Sequence, residues 1–68
     1  MAVARITEII GSSEVSWDDA TKNAMERANQ TLRGLTGLEV TKMNASIGED
    51  GRIAEYRTHL RITFILEG

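Results

Sequence analysis

Two pairs of adjacent carboxylates are the residues best suited to chemistry in this chain. Asp18 and Asp19 form one pair, and Glu49 and Asp50 form the other. There is no cysteine and one histidine, so oxygen is the donor type available to a metal site. Oxygen suits a hard cation such as calcium or magnesium, although the spacing is not that of an EF-hand loop. Helix capping explains the first pair without a metal, and a turn explains the second.

Three other side chains are candidates for contacting a ligand. Arg57 offers bidentate hydrogen bonds to a phosphate, a carboxylate or a carbonyl edge, and it is also suited to an ion pair with a glutamate of another subunit. Trp17 could stack on a ring, but we interpret this aromatic residue of the first helical turn as a packing residue. His59 has no second histidine or cysteine beside it in a ligand set, so we interpret it as a solvated or interface residue.

Length, charge and the absence of known motifs restrict the class of protein. The 68 residues predict one domain (1–68), and a chain this short buries only about 60% of its unfolded surface. Without disulfides or a thiolate metal site, association with other copies is the remaining source of stability. The net charge of −2 and the lack of a basic block argue against a nucleic-acid surface. We find no phosphate-binding glycine loop, nucleophile elbow or catalytic dyad, and we predict no enzymatic activity.

The start of the chain, Met-Ala-Val-Ala-Arg, lacks the apolar run of a signal peptide or a membrane span. We therefore expect a soluble cytoplasmic protein with no membrane partner.

The strongest secondary-structure signal lies between Arg52 and Glu67. Every second residue is apolar except Thr58, as expected of a strand with one buried side. The apolar face comprises Ala54, Tyr56, Leu60, Ile62, Phe64 and Leu66, and the opposite face Glu55, Arg57, His59, Arg61, Thr63 and Ile65. We predict that this strand lies at the centre of the sheet.

Residues 3–10 predict a first strand. Its adjacent Ile9 and Ile10 point to opposite faces, which indicates either cover on both sides or a register change near Gly11. The sequence Gly11-Ser12-Ser13 is predicted to end this strand and begin a loop.

An amphipathic helix is predicted next, from Trp17 to about Gly34. Ser16 is the expected N-cap, with Asp19 three residues later in a capping-box arrangement. Apolar and small residues then recur at steps of three and four, and Gly34 or Gly37 can end the helix.

A second strand is predicted from about Leu38 to Ile47. Its apolar residues change parity between Val40 and Met43, which a β-bulge would explain. The turn sequence Gly48-Glu49-Asp50-Gly51 then joins the second and third strands as a hairpin. The predicted fold class is α+β: a β-α-β-β chain whose three antiparallel strands, in the order 1-3-2, pack on one helix.

In these stretches the sequence resembles the dodecins, small flavin-binding proteins that assemble twelve β-α-β-β subunits into a hollow sphere. The resemblance covers nearly the whole chain. It rests on residues 8–13 after the first strand, 24–33 in the helix, 38–40 opening the second strand, and 55–57 through Phe64 in the third. It implies a homododecamer that stores or binds a small ligand, with flavin (FMN, FAD or riboflavin) as the family ligand.

Both positions that contact flavin in the family differ here. Flavin-binding dodecins resemble this chain around Gly37 but carry a tryptophan there, which stacks on the flavin ring across a subunit interface. They carry a glutamine at the position of Arg57. We therefore predict a weakened flavin site at Gly37 and Arg57, and we interpret Gly37 as a helix-terminating or strand-entry glycine with positive φ.

Two alternative functions remain. One is a cation-binding assembly, with calcium or magnesium held by copies of one carboxylate at a symmetry axis, and the other is a structural cage without flavin.

Overall fold

A computed structural model describes residues 3–66 of the chain as three strands and one helix. The elements are β1 (Val3–Ser13), α1 (Trp17–Thr31), β2 (Leu35–Ile47) and β3 (Ile53–Leu66). The strands form one antiparallel sheet in the order β1-β3-β2, which confirms the predicted fold class, strand order and central strand. The prediction extended the third strand to Glu67, which lies outside the described residues.

β1 continues through the glycine-serine segment that was predicted to end it. Its pairing with β3 runs without a register shift from Val3 opposite Leu66 to Ser13 opposite Tyr56, so the predicted loop and the alternative register change are both wrong. This strand position requires a glycine because α1 lies directly over it. An added Cβ at Gly11 would overlap the carbonyl oxygen of Ala20 and lie 2.8 Å from the Ala24 Cβ. Close helix packing, rather than a turn, is the physical reason for this glycine.

α1 begins as predicted and ends earlier than predicted. The hydroxyl of Ser16 accepts a hydrogen bond from the Asp19 backbone N–H at 3.0 Å, which confirms the N-cap. The helix ends at Thr31, and the C-cap Leu32 is extended, so the predicted end near Gly34 is too late. Gly34, with φ of +70°, lies in the connection to β2 and not in the helix.

β2 confirms the bulge that its change of parity indicates. The register with β3 shifts between Val40 and Lys42. Because of this shift, even-numbered residues before it and odd-numbered residues after it lie on the same face of the sheet. The strand starts at Leu35, three residues before the predicted Leu38.

The core is small and lies between α1 and the sheet face under it, here called the helix face. The buried apolar residues are Ala20, Ala24, Ala28, Leu60 and Ile62. α1 packs mainly on β1 and β3, and it leaves the middle of β2 uncovered on the helix face: Leu38, Val40 and Met43 are 44%, 44% and 54% exposed. Within the described residues, the helix is neither long nor apolar enough to cross a membrane.

Candidate functional site on the open face of the sheet

The sheet face opposite α1, here called the open face, carries both candidate flavin contacts, Gly37 and Arg57. Strand alternation and the register place on it Arg57, His59, Arg61 and Thr63 from β3, together with Glu8 and Ile10 from β1 and Gly37, Glu39 and Lys42 from β2. Helix-face neighbours such as Leu60 and Ile62 are almost fully buried, whereas Arg57 and Arg61 are exposed. Any ligand of the predicted site must therefore bind on this solvent-facing surface.

Arg61 lies at the centre of a row of charges that crosses all three strands. One guanidinium nitrogen lies 3.5 Å from Glu8 Oε1 and the other 3.5 Å from Glu39 Oε1. The three side chains are 45–75% exposed, so each pair contributes at most about 1 kcal/mol to stability. With two carboxylates and one guanidinium, the row carries a net negative charge. The sequence analysis did not identify this row, because the strand register that aligns the three residues cannot be read from any one strand.

Gly37 occupies the open face opposite Thr63, in a strand conformation. Among the described residues, the glycines with positive φ are Gly34 and Gly51, so the interpretation of Gly37 as a positive-φ glycine is wrong. An ideal Cβ at Gly37 meets no atom within 4 Å. The position is therefore free to hold a larger side chain as far as its own chain is concerned.

Arg57 is paired within its own strand. Its Nε donates to Glu55 Oε1 at 2.7 Å, and both side chains are about two-fifths exposed. An ion pair between Arg57 and a glutamate of another subunit stays a prediction. It would have to compete with the pair that Arg57 forms with Glu55 of its own chain.

One chain does not bring the two candidate flavin contacts together. Gly37 pairs with Thr63, and Thr63 lies six positions from Arg57 along β3. At roughly 3.3 Å per residue, about 20 Å separates the two along the strand. The isoalloxazine ring of one flavin therefore cannot touch both residues of the same chain.

Trp17 is a packing residue, as interpreted from its place in the first helical turn. Its ring meets that of Tyr56 edge-on, with centroids 4.8 Å apart and an interplanar angle of 80°. Its Nε1 donates to the carbonyl oxygen of Asn44 at 2.9 Å, and its own carbonyl accepts from the buried Thr58 hydroxyl at 3.2 Å. These contacts join the start of α1 to β2 and β3 and leave Trp17 poorly placed for stacking on a ligand.

His59 is half-buried in the middle of the open face. Its Nε2 lies 3.3 Å from Asn44 Nδ2, which assigns the acceptor role to Nε2 in this arrangement. Ile10 and Lys42 lie opposite it on the two flanking strands. These neighbours fit the interpretation of His59 as a solvated or interface residue.

Two of the four acidic candidates, Asp19 and Asp50, are engaged in local structure. Asp19 Oδ2 accepts from the Ser13 hydroxyl at 2.6 Å, and Asp50 Oδ1 accepts from the Arg52 backbone N–H at 3.0 Å. Residues 3–66 of one chain contain no group of three His, Cys, Asp or Glu residues arranged to hold a metal ion. The cation hypothesis for Asp18, Asp19, Glu49 and Asp50 places the ion at a symmetry axis, and it stays a prediction.

Comparison with known proteins gives one consistent result. The family model described as Dodecin matches residues 3–67. The chain is 38% identical over 65 residues to a dodecin of Thermus thermophilus, covering 96% of this chain and 93% of that protein. It is also 30% identical over 64 residues to the calcium dodecin of Mycobacterium tuberculosis, covering 94% and 89% respectively.

Solved structures agree with the sequence relatives. The dodecin of Streptomyces coelicolor superposes with a TM-score of 0.93 at 42% identity, covering 98% of this chain and 94% of that one. The Mycobacterium tuberculosis calcium dodecin, described as having a novel calcium-binding site, superposes with a TM-score of 0.84 at 28% identity, covering 96% and 91%. Matching sequence, strand order and helix placement over nearly the whole length show that this chain belongs to the dodecin family.

Proposed function

We propose that this chain forms a closed homo-oligomer, a dodecamer, that binds a flavin between copies of its open face more weakly than tryptophan-bearing dodecins do. The observation that carries the proposal is the amount of apolar surface that one chain leaves uncovered. Leu38, Val40 and Met43 are bare on the helix face of β2, and Ile6 and Ile10 are 55% and 60% exposed on the open face. Apolar groups exposed on both faces of one sheet are characteristic of a protein–protein interface.

The shape of the chain supports association. Its radius of gyration is 14.2 Å, against about 11 Å expected for a compact domain of this length. The buried core contains three alanines and two larger apolar residues, which supply little burial energy for a single copy. Contact with further copies on both faces of the sheet is the arrangement that would supply the missing burial.

The ligand part of the proposal depends on the open face around Gly37. The described part of the chain places no aromatic ring there: Trp17 and Tyr56 pack on one another, and Phe64 lies on the helix face. A flavin bound at this position would rest on the strand backbone and on Thr63, with the row of Glu8, Arg61 and Glu39 beside it. The residues present fit an isoalloxazine ring only loosely, since no side chain is available to stack on it.

The absorption spectrum of the purified protein, followed by titration into riboflavin with fluorescence as the readout, tests this proposal. We expect quenching that saturates at micromolar or higher concentration. Nanomolar binding would refute the proposed weakening, and no quenching at all would favour a structural cage without flavin.

A hard cation is the second candidate ligand, favoured by the similarity to a protein named calcium dodecin. Asp18 and Glu49 are exposed and could face their counterparts in other copies. Metal analysis of the protein sample used for the spectrum would separate the two candidates, because calcium or magnesium would be found without flavin absorption.

A further inference from the structure

The turn between β2 and β3 contains the one Asp-Gly step in the sequence, Asp50-Gly51, and the sequence has no Asn-Gly step. Both residues are exposed at the tip of the hairpin. Gly51 has φ of +80°, and an ideal Cβ there meets nothing within 4 Å. The peptide bond between the two residues therefore has neither a side chain on its C-terminal residue nor packed atoms that would shield it.

Two local hydrogen bonds involve the groups that would react. Asp50 Oδ1 accepts from the Arg52 backbone N–H at 3.0 Å, so the carboxyl group reaches forward along the chain, on the side of Gly51. The Gly51 N–H donates to the Gly48 carbonyl oxygen at 3.0 Å. That single exposed bond is the contact that must open before the Gly51 nitrogen can react.

We propose that Asp50-Gly51 is a site of spontaneous isoaspartate formation in the folded protein. The Gly51 nitrogen bonds to Cγ of Asp50, the amide proton and a carboxyl hydroxyl leave together as water, and a succinimide ring forms. Water then adds to one of the two ring carbonyls. Cleavage on one side restores aspartate, and cleavage on the other leaves the main chain running through Cγ.

The altered linkage changes the turn in two ways. It adds one methylene to the backbone, which disturbs the closure of the hairpin by the Gly48 N–H to Arg52 carbonyl bond of 2.8 Å. It also attaches the free carboxylate directly to Cα, which removes the contact with the Arg52 N–H. A cation site that uses Asp50 would have its carboxylate moved at the same time.

Trypsin provides an internal control for the test. Cleavage after Lys42 and Arg52 releases residues 43–52, which contain Asp50, whereas residues 6–22 contain Asp18 and Asp19 in α1. The intact protein is incubated for weeks at physiological pH and temperature, and each peptide is analysed for isoaspartate by fragmentation mass spectrometry. We expect isoaspartate in 43–52 and none in 6–22.

Two controls make the result decisive. Asp50→Glu keeps the charge but would have to close a larger ring, so we expect loss of the isoaspartate signal from this peptide. A synthetic peptide of residues 43–52 reports the reaction without the fold. Isoaspartate in the free peptide but not in the protein would overturn the proposal, because the turn would then suppress the reaction. Equal isoaspartate formation in residues 6–22, or no isoaspartate in either the protein or the free peptide, would also overturn it.

Discussion

Replacing Gly37 with tryptophan tests the proposed ligand site most specifically. The strand conformation of Gly37 and the empty space around its Cβ position mean that the new side chain meets no obstacle within its own chain. A tryptophan covering a bound flavin would remove on the order of 100 Å² of apolar surface from water, worth about 2.5 kcal/mol. Stacking adds about 0.5–1.5 kcal/mol, and ordering the side chain costs about 1 kcal/mol.

The expected result is tighter riboflavin binding by at least about tenfold, since about 1.4 kcal/mol corresponds to one decade. The assay is quenching of riboflavin fluorescence, with the mass of the assembly checked for every variant. Gly37→Ala is the matched control because it adds the Cβ without a ring. Arg57→Gln in the Gly37→Trp background restores the second family contact, and we expect it to tighten binding further. If Gly37→Trp binds no tighter than Gly37→Ala in an intact assembly, the placement of the ligand at Gly37 is wrong.

Three further predictions concern packing and cations. Gly11→Ala should lower the free energy of unfolding by about 1–3 kcal/mol because its Cβ would overlap the Ala20 carbonyl. The control Gly37→Ala should change it by less than about 0.5 kcal/mol. Equal melting temperatures for the two variants would contradict this prediction. Trp17→Phe should lower the free energy of unfolding by about 1 kcal/mol, because it removes the hydrogen bond to the Asn44 carbonyl and keeps an aromatic ring near Tyr56. An unchanged melting temperature would show that this hydrogen bond does not stabilise the fold. Calcium added to chelator-treated protein should release or absorb heat and raise thermal stability; no response at millimolar calcium would remove the cation candidate.

The fold was largely predictable because β3 and β2 carry strong local signals. The period-two pattern of β3 identifies the central strand, and the parity change between Val40 and Met43 locates the bulge correctly. Gly11 was misread because a glycine under a closely packed helix and a glycine at a strand end have the same sequence signal. Only the position of Ala20 and Ala24 over the strand distinguishes the two.

The site was less predictable because it depends on distances across strands and between copies. The row of Glu8, Arg61 and Glu39 requires the register of all three strands. The positive φ expected at Gly37 belongs to Gly34, which lies in the connection between α1, ending at Thr31, and β2. The separation of Gly37 from Arg57 follows only from the pairing of Gly37 in β2 with Thr63 in β3.

The mass of the assembly in solution tests the central claim most directly. Light scattering coupled to size-exclusion chromatography at micromolar concentration should give about twelve times the 7.5 kDa chain mass. A monodisperse and folded monomer under the same conditions would show that one chain is stable with Leu38, Val40 and Met43 exposed, and it would contradict the proposed function as a whole.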